Sequence, residues 1–132
     1  METARSMEKE EPAARDHHPA GIHLLIDLWG ASGLDDLEAV RAALLEATAA
    51  CGATLVDLKL HGFAPSQGIT GVALLAESHI SIHSWPEHGY AAVDIFVCGH
   101  CDPYRVLPVL RAAFRPERVE VSEQRRGRLP GG

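Results

Sequence analysis

Only two stretches of this chain carry helical periodicity, and strand-like runs surround both. Leu37, Val40, Leu44, Ala47 and Cys51 recur at spacings of three and four, the mark of an amphipathic helix. Ser32 or Asp35 is the expected N-cap of that helix, and Gly52 fits the C′ position. Val106, Leu107, Leu110, Ala113 and Phe114 make the second helical pattern, opened by Asp102-Pro103. Pro108 lies inside it and is expected to kink the helix or delay its true start. Apolar or alternating runs predict strands at residues 22–29, 53–60, 68–76, 79–85, 91–97 and 118–123. Residues 30–33, the loop 62–67 and Gly89 supply turns. The order is strand, helix, several strands, helix, strand. It predicts an α+β domain, a two-layer α/β sandwich with a mainly antiparallel sheet and two helices on one face. The second sheet face then needs cover, and a homodimer packing sheet against sheet is expected.

With 132 residues, the chain fits one compact domain, expected over residues 21–128. Residues 1–20 carry Glu2, Glu8, Glu10 and Glu11, two prolines and no apolar period, which predicts a disordered tail and no secretory signal. His17 and His18 belong to that tail and are read as solvated. Residues 125–132 hold three arginines and then Pro130-Gly131-Gly132, the pattern of a basic, frayed end. A hydrophobic share of 46% with 23% charged residues is that of a soluble globular protein. The net charge of −6 argues against a nucleic-acid partner. No apolar run reaches the roughly 18–20 residues of a membrane span. Cys51, Cys98 and Cys101 are odd in number, which argues against a disulfide framework and for a cytoplasmic location.

The run Glu77-Ser78-His79-Ile80-Ser81-Ile82-His83-Ser84-Trp85-Pro86-Glu87 spends far more reactive side chains than a strand needs for packing. Ser78 lies at a strand edge or turn, and His83, five residues on, can accept or donate a proton near neutral pH. Cys98 ends the following strand and reaches the same spot if the two strands pair. A serine, a histidine and a cysteine around one point serve nucleophilic or proton-transfer chemistry. The same residues also fit a buried free cysteine beside strand histidines that bond only to backbone, and the spacing alone leaves both readings open. A zinc site built on Cys98-Gly99-His100-Cys101 would need two further ligands. His79 and His83 would lie about 13 Å apart on a strand, too far for one ion, so no metal is expected. A thioredoxin-like role for this CxxC fails on position, because Asp102-Pro103 starts the helix only after the motif.

The run 77–87, followed by Gly89-Tyr90-Ala91-Ala92-Val93-Asp94 and Phe96-Val97-Cys98-Gly99, resembles the bacterial and archaeal S-adenosylmethionine decarboxylase proenzymes. Further matches are Gly52-Ala53-Thr54, His61-Gly62-Phe63 with Pro65, Gly68-Ile69-Thr70-Gly71 and Arg126-Gly127-Arg128. The resemblance covers roughly residues 21–128.

This resemblance implies an enzyme that cuts itself between Glu77 and Ser78 into a β chain, residues 1–77, and an α chain, residues 78–132. Ser78 becomes a covalent pyruvoyl group, the cofactor, which forms a Schiff base with the substrate amine and accepts electrons as carbon dioxide leaves. By the same resemblance His83 is the proton acceptor in processing and Cys98 the proton donor in catalysis. Thr70 stands where the family has a serine that supports processing. Phe63 matches an aromatic that stacks on adenine, and Glu87 a residue near the ribose; Trp85 is read chiefly as packing. The loop 64–67 is one residue longer than in the shortest members. The implied reaction converts S-adenosylmethionine to the aminopropyl donor for spermidine. The alternative on the same scaffold is decarboxylation of arginine or ornithine, with Asp27 and Glu87 as acids for the cationic substrate. A non-catalytic homologue is the third possibility, and intact Ser78, His83 and Cys98 argue against it.

Overall fold

The computed structural model describes residues 17–65 and 67–130. The elements are β1 (His17–Trp29), α1 (Leu37–Cys51), β2 (Leu55–Phe63), β3 (Gly68–Leu75), β4 (Ser78–Trp85), β5 (Tyr90–Cys98), α2 (Val106–Phe114) and β6 (Arg118–Pro130). Short 3₁₀ turns at Pro86–His88 and Pro103–Arg105 precede β5 and α2. Among the described residues, six strands form one sheet in the order β2-β3-β4-β5-β1-β6, antiparallel at every pairing. Both helices contact each other, and the core cluster joins them to a single sheet face. The expected α+β class with two helices on one face is therefore what the chain adopts.

Alternation fixes which strand residues enter the core. β5 buries Ala91, Val93, Ile95 and Val97 and leaves the residues between them half-buried. Leu24, Ile26 and Leu28 of β1 and Ile80 and Ile82 of β4 join them. Against this face α1 sets Val40, Ala43, Leu44 and Ala47, and α2 sets Val106, Leu110 and Phe114. A Cβ on Gly71 would lie 3.2 Å from Leu44 Cδ1 and 2.4 Å from Leu60 Cδ2, so a glycine there admits the helix to the sheet. Among the described residues the opposite sheet face carries no helix. His23, Asp27, Trp29, Ser81, His83, Trp85, Asp94 and Phe96 stand on it, by register and by their contacts with one another.

Three local expectations are corrected. Asp36, and neither Ser32 nor Asp35, caps α1: its Oδ1 accepts the N–H groups of Glu38 and Ala39 at 3.0 and 3.2 Å. Ser32 is occupied elsewhere, donating both its N–H and its hydroxyl to the Phe114 carbonyl. β1 begins at His17, inside the segment expected as tail; residues 1–16 lie outside the described residues. β6 runs to Pro130 rather than ending near residue 123, so the arginines expected in a frayed end belong to a strand. The cause is shared: β1 and β6 pair without interruption of direction from Trp29↔Arg118 to His17↔Pro130, and backbone pairing needs no apolar alternation. Pro108 sits in the first turn of α2, where a missing N–H costs nothing, so the delayed start is what the chain adopts. Gly52 closes α1 in the left-handed region, as expected.

Phe114 is fully buried in the core between the helices and the sheet. Phe114→Ala is expected to destabilise the domain by about 3–5 kcal/mol, read as a lower denaturant midpoint, whereas Asp36→Ala removes only a cap and costs about 1 kcal/mol.

Candidate active site

The expected trio of Ser78, His83 and Cys98 divides into two places. The register of β4 on β5 pairs His79 with Phe96, which carries Cys98 to the level of Glu77 in the β3–β4 turn. There the Cys98 Sγ lies 3.8 Å from the Ser78 Oγ. It also points at the Glu77 main-chain carbonyl at 3.6 Å and at Glu77 Oε1 at 3.5 Å. One thiol thus touches the hydroxyl of residue 78 and the carbonyl that precedes it. The turn itself is held by the Leu75↔Ser78 pair and by the Ala76 N–H, which donates to the Thr54 carbonyl at 2.9 Å.

His83 does not reach this point. It lies five residues along β4 from Ser78, about 16 Å at the ~3.3 Å rise of a strand, and an odd offset turns the two side chains to opposite faces. His83 instead pairs across to Thr70, whose Oγ1 lies 3.1 Å from Nδ1. These two line an open cavity of about 270 Å³ with Phe63, Gly68, Ile69, Ser84, Trp85 and Glu87. Phe63 is half-exposed, and its ring meets His61 with centroids 4.4 Å apart. The longer loop at residues 64–67 has therefore not removed Phe63 from the cavity.

Ser84 is a residue that the sequence reading passed over. It is 7% exposed, its Oγ accepts the Ile69 N–H at 3.0 Å, and it donates to the Leu34 carbonyl at 2.8 Å. It locks β3 to β4 directly beneath Thr70 and His83 and ties both to the segment before α1. The one available signal was parity: Ser84 continues the core-facing series Ile80, Ile82.

Along the uncovered face an aromatic ladder follows the cavity. Trp85 stacks on Tyr90 at 5.2 Å, Tyr90 on Trp29 at 4.4 Å, and Arg118 lies over the Trp29 ring at 5.4 Å. Asp27 accepts the Tyr90 hydroxyl at 2.7 Å and pushes that phenol up to about 12. Asp27 is thus engaged by Tyr90 and is not among the residues that line the cavity with Glu87. Towards Cys98, Asp94 joins His23 at 3.2 Å and Ser81 at 3.4 Å, and Arg126 covers the Phe96 ring at 5.3 Å. In the CxxC segment, the Cys101 Sγ donates to the Gly52 carbonyl, and burial pushes the Cys101 and Cys51 thiols up. No three His, Cys, Asp or Glu side chains converge as a metal-ligand set among the described residues.

A family model described as S-adenosylmethionine decarboxylase matches residues 22–127, nearly the whole described domain. The chain belongs to the S-adenosylmethionine decarboxylase family. An S-adenosylmethionine decarboxylase proenzyme of Thermomicrobium roseum is 50% identical over 110 residues, covering 83% of this chain and 95% of the relative. The same-named protein of Methanococcus vannielii is 52% identical over 110 residues, 81% of this chain and 89% of its own. The crystal structure of adenosylmethionine decarboxylase from Aquifex aeolicus superposes with a TM-score of 0.75 at 38% identity, covering 83% of this chain and 92% of the other. These family members are named for S-adenosylmethionine and not for arginine or ornithine, and the alternative substrate class gains no support.

Ser84→Ala would leave the buried Ile69 N–H without its acceptor. It is expected to cost about 1–3 kcal/mol in equilibrium unfolding, whereas Ser81→Ala, on the half-exposed face, should stay within about 0.5 kcal/mol.

Proposed function

We propose that this protein is a pyruvoyl-dependent S-adenosylmethionine decarboxylase, made as a precursor that cuts itself between Glu77 and Ser78. The observation that carries the reading is the thiol of Cys98 set against both the Ser78 hydroxyl and the Glu77 carbonyl. In the first step the Ser78 Oγ attacks the Glu77 carbonyl carbon, and the Cys98 S–H donates to its oxygen as charge develops there. The Glu77–Ser78 C–N bond breaks, the hydroxyl proton ends on the Ser78 amine, and an ester remains. A base then takes the Ser78 α-proton, and the Glu77 carboxylate leaves from the β-carbon, which a free hydroxide does poorly. The dehydroalanine left at position 78 adds water and loses ammonia, giving the pyruvoyl terminus of the α chain.

The base in this reading is His83, and a second copy of the chain would bring it to Ser78. Within one chain His83 faces away from Ser78 and lies about 16 Å off. By register Cys98 and His83 both belong to the helix-free sheet face, one towards each end of β4, and Ser78 opens the strand in contact with Cys98. A two-fold axis near the middle of β4 would lay the Ser78–Cys98 end of one protomer on the Thr70–His83 end of the other. It would also cover the ladder of Trp29, Tyr90 and Trp85, of which Trp85 is the exposed member. The homodimer is thus proposed as a composite site, in which Thr70 holds the imidazole of His83 for the neighbouring Ser78. Phe63 would stack on the adenine and Glu87 would accept the ribose hydroxyls from the same side.

The pyruvoyl group supplies an electrophilic ketone conjugated to an amide, an electron sink that no standard side chain offers. It fits here, because residue 78 opens β4 beside the Cys98 thiol and is only partly buried. Cys98 delivers a proton to the substrate carbon that has lost carbon dioxide, and its position beside residue 78 directs the proton there. The product is the aminopropyl donor for spermidine synthesis. A cytoplasmic location is proposed from the three free thiols; no helix among the described residues is long and apolar enough to cross a membrane.

A denaturing mass spectrum of the protein should show two pieces that meet at Glu77–Ser78, and Ser78→Ala should leave one uncut chain. The composite site is tested by co-expressing Ser78→Ala with His83→Ala, each uncut alone. Mixed dimers should cut the His83→Ala chain and recover part of the carbon dioxide release from S-adenosylmethionine. Failure of any chain to be cut in the mixture would remove the shared site.

A further inference from the structure

Glu77 has a backbone that its side chain does not favour. Its φ is +63°, and among the described residues only Gln67 and Arg115 are other non-glycines with positive φ. Glu77 is the second central residue of the two-residue turn Leu75-Ala76-Glu77-Ser78, in which Leu75 pairs with Ser78. Positive φ at that second position alone is the pattern of a type II turn, where glycine or asparagine belongs. A side chain with a Cβ is strained there by its clash with the following carbonyl. Packing gives no reason for the choice, because Glu77 is exposed. The turn is held at its flanks: the Ala76 N–H donates to the Thr54 carbonyl at 2.9 Å, and the Leu75↔Ser78 pair closes it. Surroundings that over-determine a local conformation are what allow strain to persist.

We infer that Glu77 is a processing determinant through its backbone: the precursor stores left-handed strain at the residue before the bond to be cut, and cutting releases it. This rests on the cleavage site proposed above. In the first step the Glu77 carbonyl carbon exchanges its bond to the Ser78 nitrogen for a bond to the Ser78 oxygen, and the proton passes from that oxygen to that nitrogen. The ester reroutes the chain through the Ser78 side chain and loosens the turn. After elimination Glu77 is a free chain end whose φ can return to negative values. Strain in the amide therefore offsets part of the cost of converting an amide to an ester. The carboxylate of Glu77, 3.5 Å from the Cys98 Sγ, offers a rival explanation of why a glutamate stands here, and the two are separable.

The experiment compares four variants in the full chain. Glu77→Gly and Glu77→Asn tolerate the left-handed backbone, whereas Glu77→Ala and Glu77→Gln keep the strain and lose the carboxylate. Self-cleavage, followed by gel and mass spectrometry, should slow about 5- to 30-fold in the glycine variant, less in the asparagine variant, and little in the other two. The same substitutions in the uncut Ser78→Ala chain give a readout independent of catalysis. Glycine and asparagine should raise the unfolding midpoint, and alanine should not. Equal cleavage rates for the glycine and alanine variants would overturn the inference. So would alanine and glutamine variants as slow as glycine, which would assign the effect to the carboxylate, or a glycine variant no more stable than alanine in the uncut chain. If the unaltered chain is not cut at Glu77–Ser78 at all, the proposed cleavage site fails first. The stability comparison in the uncut chain would still report whether the strain exists.

Discussion

The antiparallel register of β4 between β3 and β5 sets the geometry of the candidate site. One side of the register opposes His83 to Thr70. The other opposes His79 to Phe96 and so brings Cys98 level with Glu77. A slip of one residue would turn Ile80 and Ile82 outward and carry His83 into the core. The burial of those two isoleucines therefore fixes the positions of the chemistry as firmly as it fixes the fold. Ser84 adds a polar lock to the same register, since its hydroxyl bonds both to β3 and to the segment before α1.

Much of this was legible because apolar side chains alternate where they meet a core. The strands from residue 68 to 98 and the first helix follow their patterns to within a residue or two. The outer strands did not announce their length. In residues 17–20 and 125–130 prolines, histidines and arginines replace the apolar alternation, yet β1 and β6 satisfy each other's backbone groups. Asp36 was missed as the cap because Ser32 and Asp35 are equally good residues for the task, and only the path of the loop chooses among them. The roles expected of Ser78, His83 and Cys98 rest on a resemblance, and a resemblance states no distances. That Ser78 meets Cys98 but not His83 is a consequence of strand rise and parity.

The two faces of the sheet divide labour. The face under the helices holds the core, apolar among the described residues but for Thr48 and Ser84. The other face holds a ladder of Trp29, Tyr90 and Trp85 flanked by paired polar groups such as Tyr90–Asp27 and His23–Asp94. Side chains already bonded to one another can be covered at lower cost than lone charges, because few donors or acceptors are left without partners. That composition suits a face that meets its own copy, where a charge-rich solvated surface would not.

A composite site also orders events in time. If the proton acceptor for residue 78 belongs to the second copy, an isolated folding chain holds Ser78, Cys98 and the Glu77 carbonyl together but lacks the base for elimination. The ester can form and reverse within one chain, because exchange between nitrogen and oxygen needs only the local groups. Elimination is irreversible and waits for assembly. The strained turn at Glu77 then acts on the reversible step and the second copy on the irreversible one. On the proposed composite site, folding, assembly and cleavage would follow in that order, because the antiparallel register sets Cys98 and His83 towards opposite ends of one strand.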